Sequence, residues 1–333
     1  MADILIRGGT VIDGTGTAAY PADVRVTAGL ISEIGRGLAP RAGEEVHDAG
    51  GCYVTPGFIE AHTHYDATMW WQPDLDPLPG NGATTIILGN CGFAAAPMSR
   101  DKAAQLEMVN IFSFFEDIPI GPFLENVPWD WEKWSEYKAS LTSRVKVPAN
   151  YAIFVGHIAI RLAVMGLEAW ERVATPAEIA RMAELLEDAL GAGALGLSDN
   201  MHDHDGNNRP IPTLVADDAE FRALFDVLER YPAASYQVIV DTAMRKTGPQ
   251  SLERLERLLK GRGTRVQIAG AIPTLEFQKD ILPAMEASVK KMQEAGVDLW
   301  PGYAHVSPTS TLSLVKSLIF AQSNDYVWHE VVL

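Results

Sequence analysis

The sequence predicts an α/β fold: a (β/α) TIM-type barrel, incomplete at about seven strands, preceded by a small N-terminal β-sandwich segment. Three observations carry this expectation. Residues 1–53 read as short strands joined by glycine-containing turns. From residue 54 onward, short β-branched runs alternate with amphipathic helical stretches, which is the signature of a parallel sheet. A largely apolar run at 53–59 then delivers two histidines at its C-terminal end, the end where such barrels keep their chemistry.

In the first segment, Ile4-Leu5-Ile6 and Thr10-Val11-Ile12 read as two strands parted by Gly8-Gly9, and Asp13-Gly14 is a hairpin cue. Val24 and Val26 alternate with Arg25, and a further strand runs from Leu30 to Ile34. So small a β segment has to pack with other strands. The barrel is expected over residues 54–333. Its first strand is read as buried, because Tyr53, Val54, Phe58 and Ile59 are β-formers. Later strands are expected at 84–88, 152–155, 195–197, 236–240, 266–268 and 297–299. Between them, Thr175-Pro176-Ala177-Glu178 is a capping box with proline at the first helical position, and Gly191 closes that helix. Residues 217–230 and 251–260 are amphipathic, a helix at 281–295 is expected to begin at Pro283, and 312–321 reads as a seventh helix. Residues 323–333 are too few for an eighth strand and its helix, so the sequence reads as a C-terminally truncated form of a longer protein.

A formal charge of −16 over 333 residues argues against nucleic acid or an anionic membrane surface as partner. With only Cys52 and Cys91, and no basic leader after Met1, a disulfide framework is not expected and a cytoplasmic location fits. The most apolar window, 151–170, is broken by His157, Arg161 and Glu168, so it is not a membrane span. Self-association into a homo-oligomer is compatible with these properties.

His62 and His64 lie two residues apart, so on a strand both imidazoles project to one face. Two neutral imidazoles with Asp66 just beyond suit zinc or a similar divalent ion; the alternative is a solvated pair in a loop. Cys91 follows the second strand at the same barrel end, and by itself reads equally as a small buried residue. His157 and Arg161 follow the third strand and either shape the site and grip a substrate carboxylate, or form a supporting hydrogen bond and a surface arginine. His202 and His204 crowd with three acids into the loop after the fourth strand, a substrate site or an exposed polar loop. Rings between Ile111 and Trp134 form an acyl-selecting lid or, more simply, core.

Several of these phrases also carry a resemblance. P-G-F-I-E-A-H-T-H-Y-D at 56–66 resembles the first-strand signature of the amidohydrolase superfamily, and I-R-G-G-T-V-I-D-G-T-G resembles its opening. Gly89-Asn90-Cys91-Gly92 and the G-H-x-x-x-R spacing of His157 and Arg161 resemble its N-acyl-D-amino-acid deacylase branch. That resemblance implies Cys91 as a third metal ligand beside His62 and His64. It implies hydrolysis of a linear amide in a small N-acylated amino acid, with ion-activated water as the nucleophile. It also implies an essential aspartate, general base and metal ligand, beyond Leu333, so residues 1–333 alone are expected to turn over little or nothing. The branch carries histidines after strands five and six. Here those strands end at Asp241 and run through Gln267, so a single ion is expected, with Asp241 as a substitute ligand or substrate contact. His305 is a further candidate without a motif; His47 and His329 read as incidental. The rival expectations are a cyclic-amide or lactone hydrolase of the same superfamily, and a non-catalytic relative that serves in binding.

Overall fold

A computed structural model describes residues 3–241, 248–271 and 281–303. The expectations for residues 312–321, His305 and His329 fall outside them. The chain divides into two compact units, Met1–Phe58 and Ile59–Leu333.

The first unit is one five-stranded sheet. Strands β1 (Ile4–Val11), β2 (Tyr20–Thr27) and β3 (Leu30–Gly35) are antiparallel neighbours, while β4 (Glu45–Asp48) and β5 (Tyr53–Val54) both pair parallel with the free side of β1. Gly8-Gly9 is therefore not a turn between two strands. The register of β1 shifts between Ile6 and Gly9, a bulge that lets β4 take Ile4–Arg7 and β5 take Thr10–Val11. Gly9 is required there, since a Cβ would stand 2.5 Å from Val54 Cγ2. Arg25, an outward residue by alternation, is buried: its Nε donates to Glu44 Oε1 at 2.6 Å, and Glu33 takes another of its N–H groups. The pairing neutralises a charge that would otherwise be costly to bury.

The second unit holds the barrel strands in succession: β6 (Phe58–Glu60), β7 (Ala83–Leu88), β8 (Asn150–Ile153), β9 (Val155–Gly156), β10 (Gly196–Asn200), β11 (Ser235–Ile239), β12 (Arg265–Ala271) and β13 (Asp298–Tyr303). Neighbours run β6-β7-β8 and β9-β10-β11-β12-β13, the latter all parallel. The third strand position is split at Phe154: β8 pairs with β7 and β9 with β10, and the Phe154 N–H still donates to Leu88 O at 2.9 Å. The first strand is not buried as expected. Phe58 and Ile59 are about two-thirds exposed (64% and 66%), and β7 is the one strand paired with β6 among the described residues.

Ten helices accompany these strands among the described residues: α1 (Tyr65–Thr68), α2 (Lys102–Glu116), α3 (Ile120–Asn126), α4 (Trp134–Arg144), α5 (His157–Met165), α6 (Pro176–Gly191), α7 (Pro212–Val215), α8 (Asp218–Glu229), α9 (Gly248–Leu259) and α10 (Ile281–Glu294). The capping box forms as read: Glu178 Oε2 accepts the Thr175 N–H at 2.7 Å and Thr175 Oγ1 accepts the Glu178 N–H at 3.3 Å. Helix α10 begins two residues before Pro283, which sits in the first turn, where N–H groups have no helical acceptor to lose. The aromatic block is core: Phe112, Phe123 and Trp131 are fully buried, and the Trp131 Nε1–H donates to Ala95 O at 2.8 Å. No described helix is long and apolar enough to cross a membrane.

Candidate metal centre

His62 and His64 lie just past the end of β6, before α1, and not on the strand itself, yet their side chains still come together. Thr63, between the two histidines, turns the other way: its N–H and its hydroxyl both donate to Ile87 O on β7, at 3.0 and 2.8 Å. His62 and His64 therefore share a face, with ring centroids 5.3 Å apart and planes at 69°. Cys91 Sγ lies 3.0 Å from His62 Nε2 and 3.5 Å from His64 Nε2, and one donor atom from each residue falls within 4.8 Å of the others. Phe93 stacks on the His64 ring at 4.5 Å.

The loop that carries the sulfur is fixed at each residue of Gly-Asn-Cys-Gly. Gly89 has φ +68°, and a Cβ there would meet Phe154 O at 2.5 Å. The Asn90 amide donates to Thr63 O and Ile87 O, at 3.2 and 3.1 Å, tying the loop to the histidine strand. Cys91 itself adopts a left-handed conformation, φ +59°, held by its N–H donating to Gln237 Oε1 on β11 at 2.8 Å. Gly92 N–H donates to Ser198 Oγ on β10 at 3.1 Å. Asp66 is buried on α1 and accepts the Ala95 N–H at 3.1 Å, so it braces the same loop from the other side. Gln237 and Ser198 were not anticipated from sequence. The available signal was a polar side chain inside an apolar strand, which in a buried sheet has to be satisfied locally.

The electrostatics suit a cation. Burial pushes the His62 imidazole down to about 4 and the His64 imidazole well below its ordinary value, so both are neutral and offer lone pairs. Burial, then the carboxylates of Glu116, Asp203 and Asp66, push the Cys91 thiol up. Burial also raises Asp66 to about 7 and Glu116 to about 8, the latter helped by neighbouring Asp66, Asp117 and Asp203. Two neutral imidazoles and a thiol, with carboxyl groups close by, bring lone-pair donors together in a buried place with no cationic side chain among them. The donor set, two nitrogens and one sulfur, fits zinc.

The other residues singled out in the sequence fall elsewhere. His157, the first residue of α5, and Arg161, one turn further on, are fully buried. His157 Nδ1 meets Asp199 Oδ2 at 3.0 Å, His157 Nε2 meets Glu220 Oε1 at 2.6 Å, and Arg161 pairs with Glu220 Oε2 and donates to Ala169 O and Arg172 O. Burial corrects the surface-arginine alternative: Arg161 lies inside a charge network with Glu220. The loop holding His202 and His204 is no exposed polar loop: Asn200, Asp203 and Asp205 are buried. Asn200 organises it, accepting the N–H groups of His202 and Asp203 at 3.1 Å, while Asp205 accepts from Arg209 Nε at 2.7 Å. His202 is partly buried 3.9 Å from Asp203, and His204 packs edge-on against Phe114. Asp241, just past β11, is 2% exposed; Asp203 is raised chiefly by burial, with Asp241 adding a smaller push. Neither His202 nor Asp241 joins the His62–His64–Cys91 trio.

With this geometry in place, similarity to known proteins is informative. The sequence profile described as the amidohydrolase family matches residues 45–310. D-aminoacylase of Alcaligenes xylosoxydans xylosoxydans is 30% identical over 307 residues, which is 90% of this chain and 57% of that protein. A solved structure of D-aminoacylase with a binuclear metal centre superposes with a TM-score of 0.72 at 27% identity, over 91% of this chain and 58% of the other. The N-acyl-D-glutamate deacylase of Bordetella bronchiseptica, solved with zinc and a phosphonate mimic of the tetrahedral intermediate, gives 0.70 at 28% identity, over 90% and 58%. The chain thus spans a little more than half the length of these relatives. A parallel barrel with His62, His64 and Cys91 gathered at its strand ends, under a family profile that runs through most of the sequence, makes this chain a member of the amidohydrolase family.

Proposed function

We propose that this protein is a metal-dependent hydrolase that cleaves a linear amide C–N bond, with N-acyl-D-amino acids as its substrate class. The observation that carries this reading is the convergence of His62, His64 and Cys91 within 4.8 Å. Similarity to D-aminoacylase and N-acyl-D-glutamate deacylase supports the choice of amide over other bonds. His62 Nε2, His64 Nε2 and Cys91 Sγ would hold one divalent ion, zinc by donor type. Such an ion supplies Lewis acidity, polarising the scissile carbonyl and acidifying water.

The chain's own residues prepare that chemistry. Burial keeps both imidazoles neutral, so each has one ring nitrogen with a lone pair for a cation. Gln237 and Ser198 fix the backbone on which the sulfur is carried, and Phe93 shields one face of His64 from water.

The test is zinc analysis of the purified chain with a substrate panel: N-acetyl-D- and L-amino acids against cyclic amides and lactones. Bound zinc, and its loss in His62→Ala, are expected of residues 1–333. Release of the free D-amino acid is expected from a C-terminally extended form that carries the general base the resemblance implies, with little or none from residues 1–333 alone. Turnover of the cyclic substrates alone would transfer the protein to the ring-opening hydrolases. An absence of bound metal, with no effect of His62→Ala, would reassign it as a binding protein.

A further inference from the structure

Glu116 is the last residue of α2, and its carboxylate Oε1 lies 3.4 Å from His64 Nε2. That nitrogen is the same atom that stands 3.5 Å from Cys91 Sγ. Donors that share a tetrahedral ion through bonds of about 2.0–2.3 Å stand roughly 3.3–3.8 Å apart. Both separations, 3.4 and 3.5 Å, fall in that interval; the 3.0 Å His62–Cys91 approach is tighter, that of a hydrogen bond. A carboxylate oxygen and an imidazole lone pair repel unless a proton or a cation lies between them.

The position of Glu116 is built rather than incidental. Phe115, its neighbour on α2, stacks on Phe93 at 5.2 Å and 16°, and Phe93 stacks on His64 at 4.5 Å and 11°. Three parallel rings therefore register the end of the helix against the metal-binding histidine. Asp117 then leaves the helix with φ +54°, so Glu116 is the last helical residue at the pocket. Its side chain is 32% exposed while its carboxylate end stands against the His64 side chain, itself 8% exposed.

We infer that Glu116 is a carboxylate donor of this metal centre, reaching the ion from the His64 side, next to a trio whose own donor atoms lie within 4.8 Å of one another without it. This rests on the reading of the trio as a metal site. Because the oxygen approaches only one of the three donors closely, it engages either directly or through one water, and loosening it lowers ion affinity without dismantling the trio.

The test uses the 333-residue chain stripped of metal and titrated with Co2+ and Zn2+ against a chromophoric chelator, for the parent, Glu116→Gln, Glu116→Asp and His62→Ala. The parent is expected to show a sulfur-to-cobalt charge-transfer band. Glu116→Gln should keep that band, change the visible ligand-field envelope, and bind roughly 10- to 100-fold more weakly. Glu116→Asp, which retains the charge, should recover part of the loss, and it carries the test if the glutamine variant does not fold. Coincident thermal unfolding of the metal-free forms shows that altered folding is not the cause. Affinity and spectrum unchanged in Glu116→Gln would overturn the inference and leave a proton-bridged His64–Glu116 pair. If His62→Ala loses the ion while Glu116→Gln does not, the hydrolase reading stands and Glu116 alone drops out. No ion bound by the parent would remove both.

Discussion

Two buried histidine clusters sit at strand ends of the same barrel and are wired in opposite ways. Just past β6, His62 and His64 face a thiol, with no positive partner among the described contacts, and burial drives their protonation down. At the start of α5, His157 meets two carboxylates. Burial alone would lower its pKa, but Asp199 and Glu220 outweigh it and raise the imidazole to about 9. Arg161 adds the second positive charge, and Glu220 is held below its ordinary range by both cations despite its burial. One cluster is internally neutralised; the other has no cationic partner among its described contacts. An unbalanced pocket is where a ligand belongs, and a balanced one is structure.

The largest expected effect breaks the balanced cluster. Glu220→Ala leaves His157 and Arg161 buried without their shared anion and should cost about 3–5 kcal/mol in denaturant unfolding. A cost below about 1 kcal/mol would show that water reaches the site and that the clusters differ less than their burial suggests.

The same cluster sets a pH dependence of defined sign. The folded state holds the His157 proton up to about 9, the unfolded chain only to about 6.5. This contribution is fully present below pH 6.5 and is lost as pH rises through 9, on the order of 3 kcal/mol in all. Unfolding free energies measured from pH 6 to 10 on the parent and on Glu220→Gln check it. The parent should lose stability steeply across that window and the variant less so.

On the metal side, Gln237→Leu removes the acceptor of the Cys91 N–H while filling similar space. An unsatisfied buried N–H costs about 1–3 kcal/mol. The loss should appear as reduced stability together with weaker ion binding, since the sulfur's backbone is released. Reduced stability with unchanged ion affinity would mean that the neighbouring Gly92–Ser198 contact is sufficient to aim the thiol.

How much of this was legible depends on the range of each interaction. The His62–His64 face depends on residues two apart, and the Thr175 cap on residues three apart, so both could be read directly. The alternation of strands and helices likewise gave the order β7 to β13. Partners brought together by tertiary packing left little trace. Nothing near Arg161 in sequence announces Glu220, 59 residues away, or distinguishes a buried guanidinium from a surface one. Gln237 acts on Cys91 across 146 residues, and Glu116 reaches His64 only because a helix ends where it does. The exposed β6 misled for a related reason: apolar composition reports what a strand can bury, and neighbouring strands decide whether it does.

The smallest expected effect sharpens the contrast most. His62 is neutral and only partly buried, and its one described polar contact is the weak hydrogen bond to Cys91 Sγ at 3.0 Å. In the metal-free chain His62→Ala should therefore change stability by about 1 kcal/mol or less, far below the cost at Glu220. Added zinc then separates the two proteins. Saturating ion stabilises the parent by mass action, about 2.7 kcal/mol at a hundredfold excess over its dissociation constant, and does little for the variant. If His62→Ala costs several kcal/mol without metal, its imidazole serves packing, as His157 does, and the two clusters no longer divide into ligand and scaffold. If the apo cost is small and the zinc response is lost, a group contributing almost nothing to the empty fold is held in place for the ion.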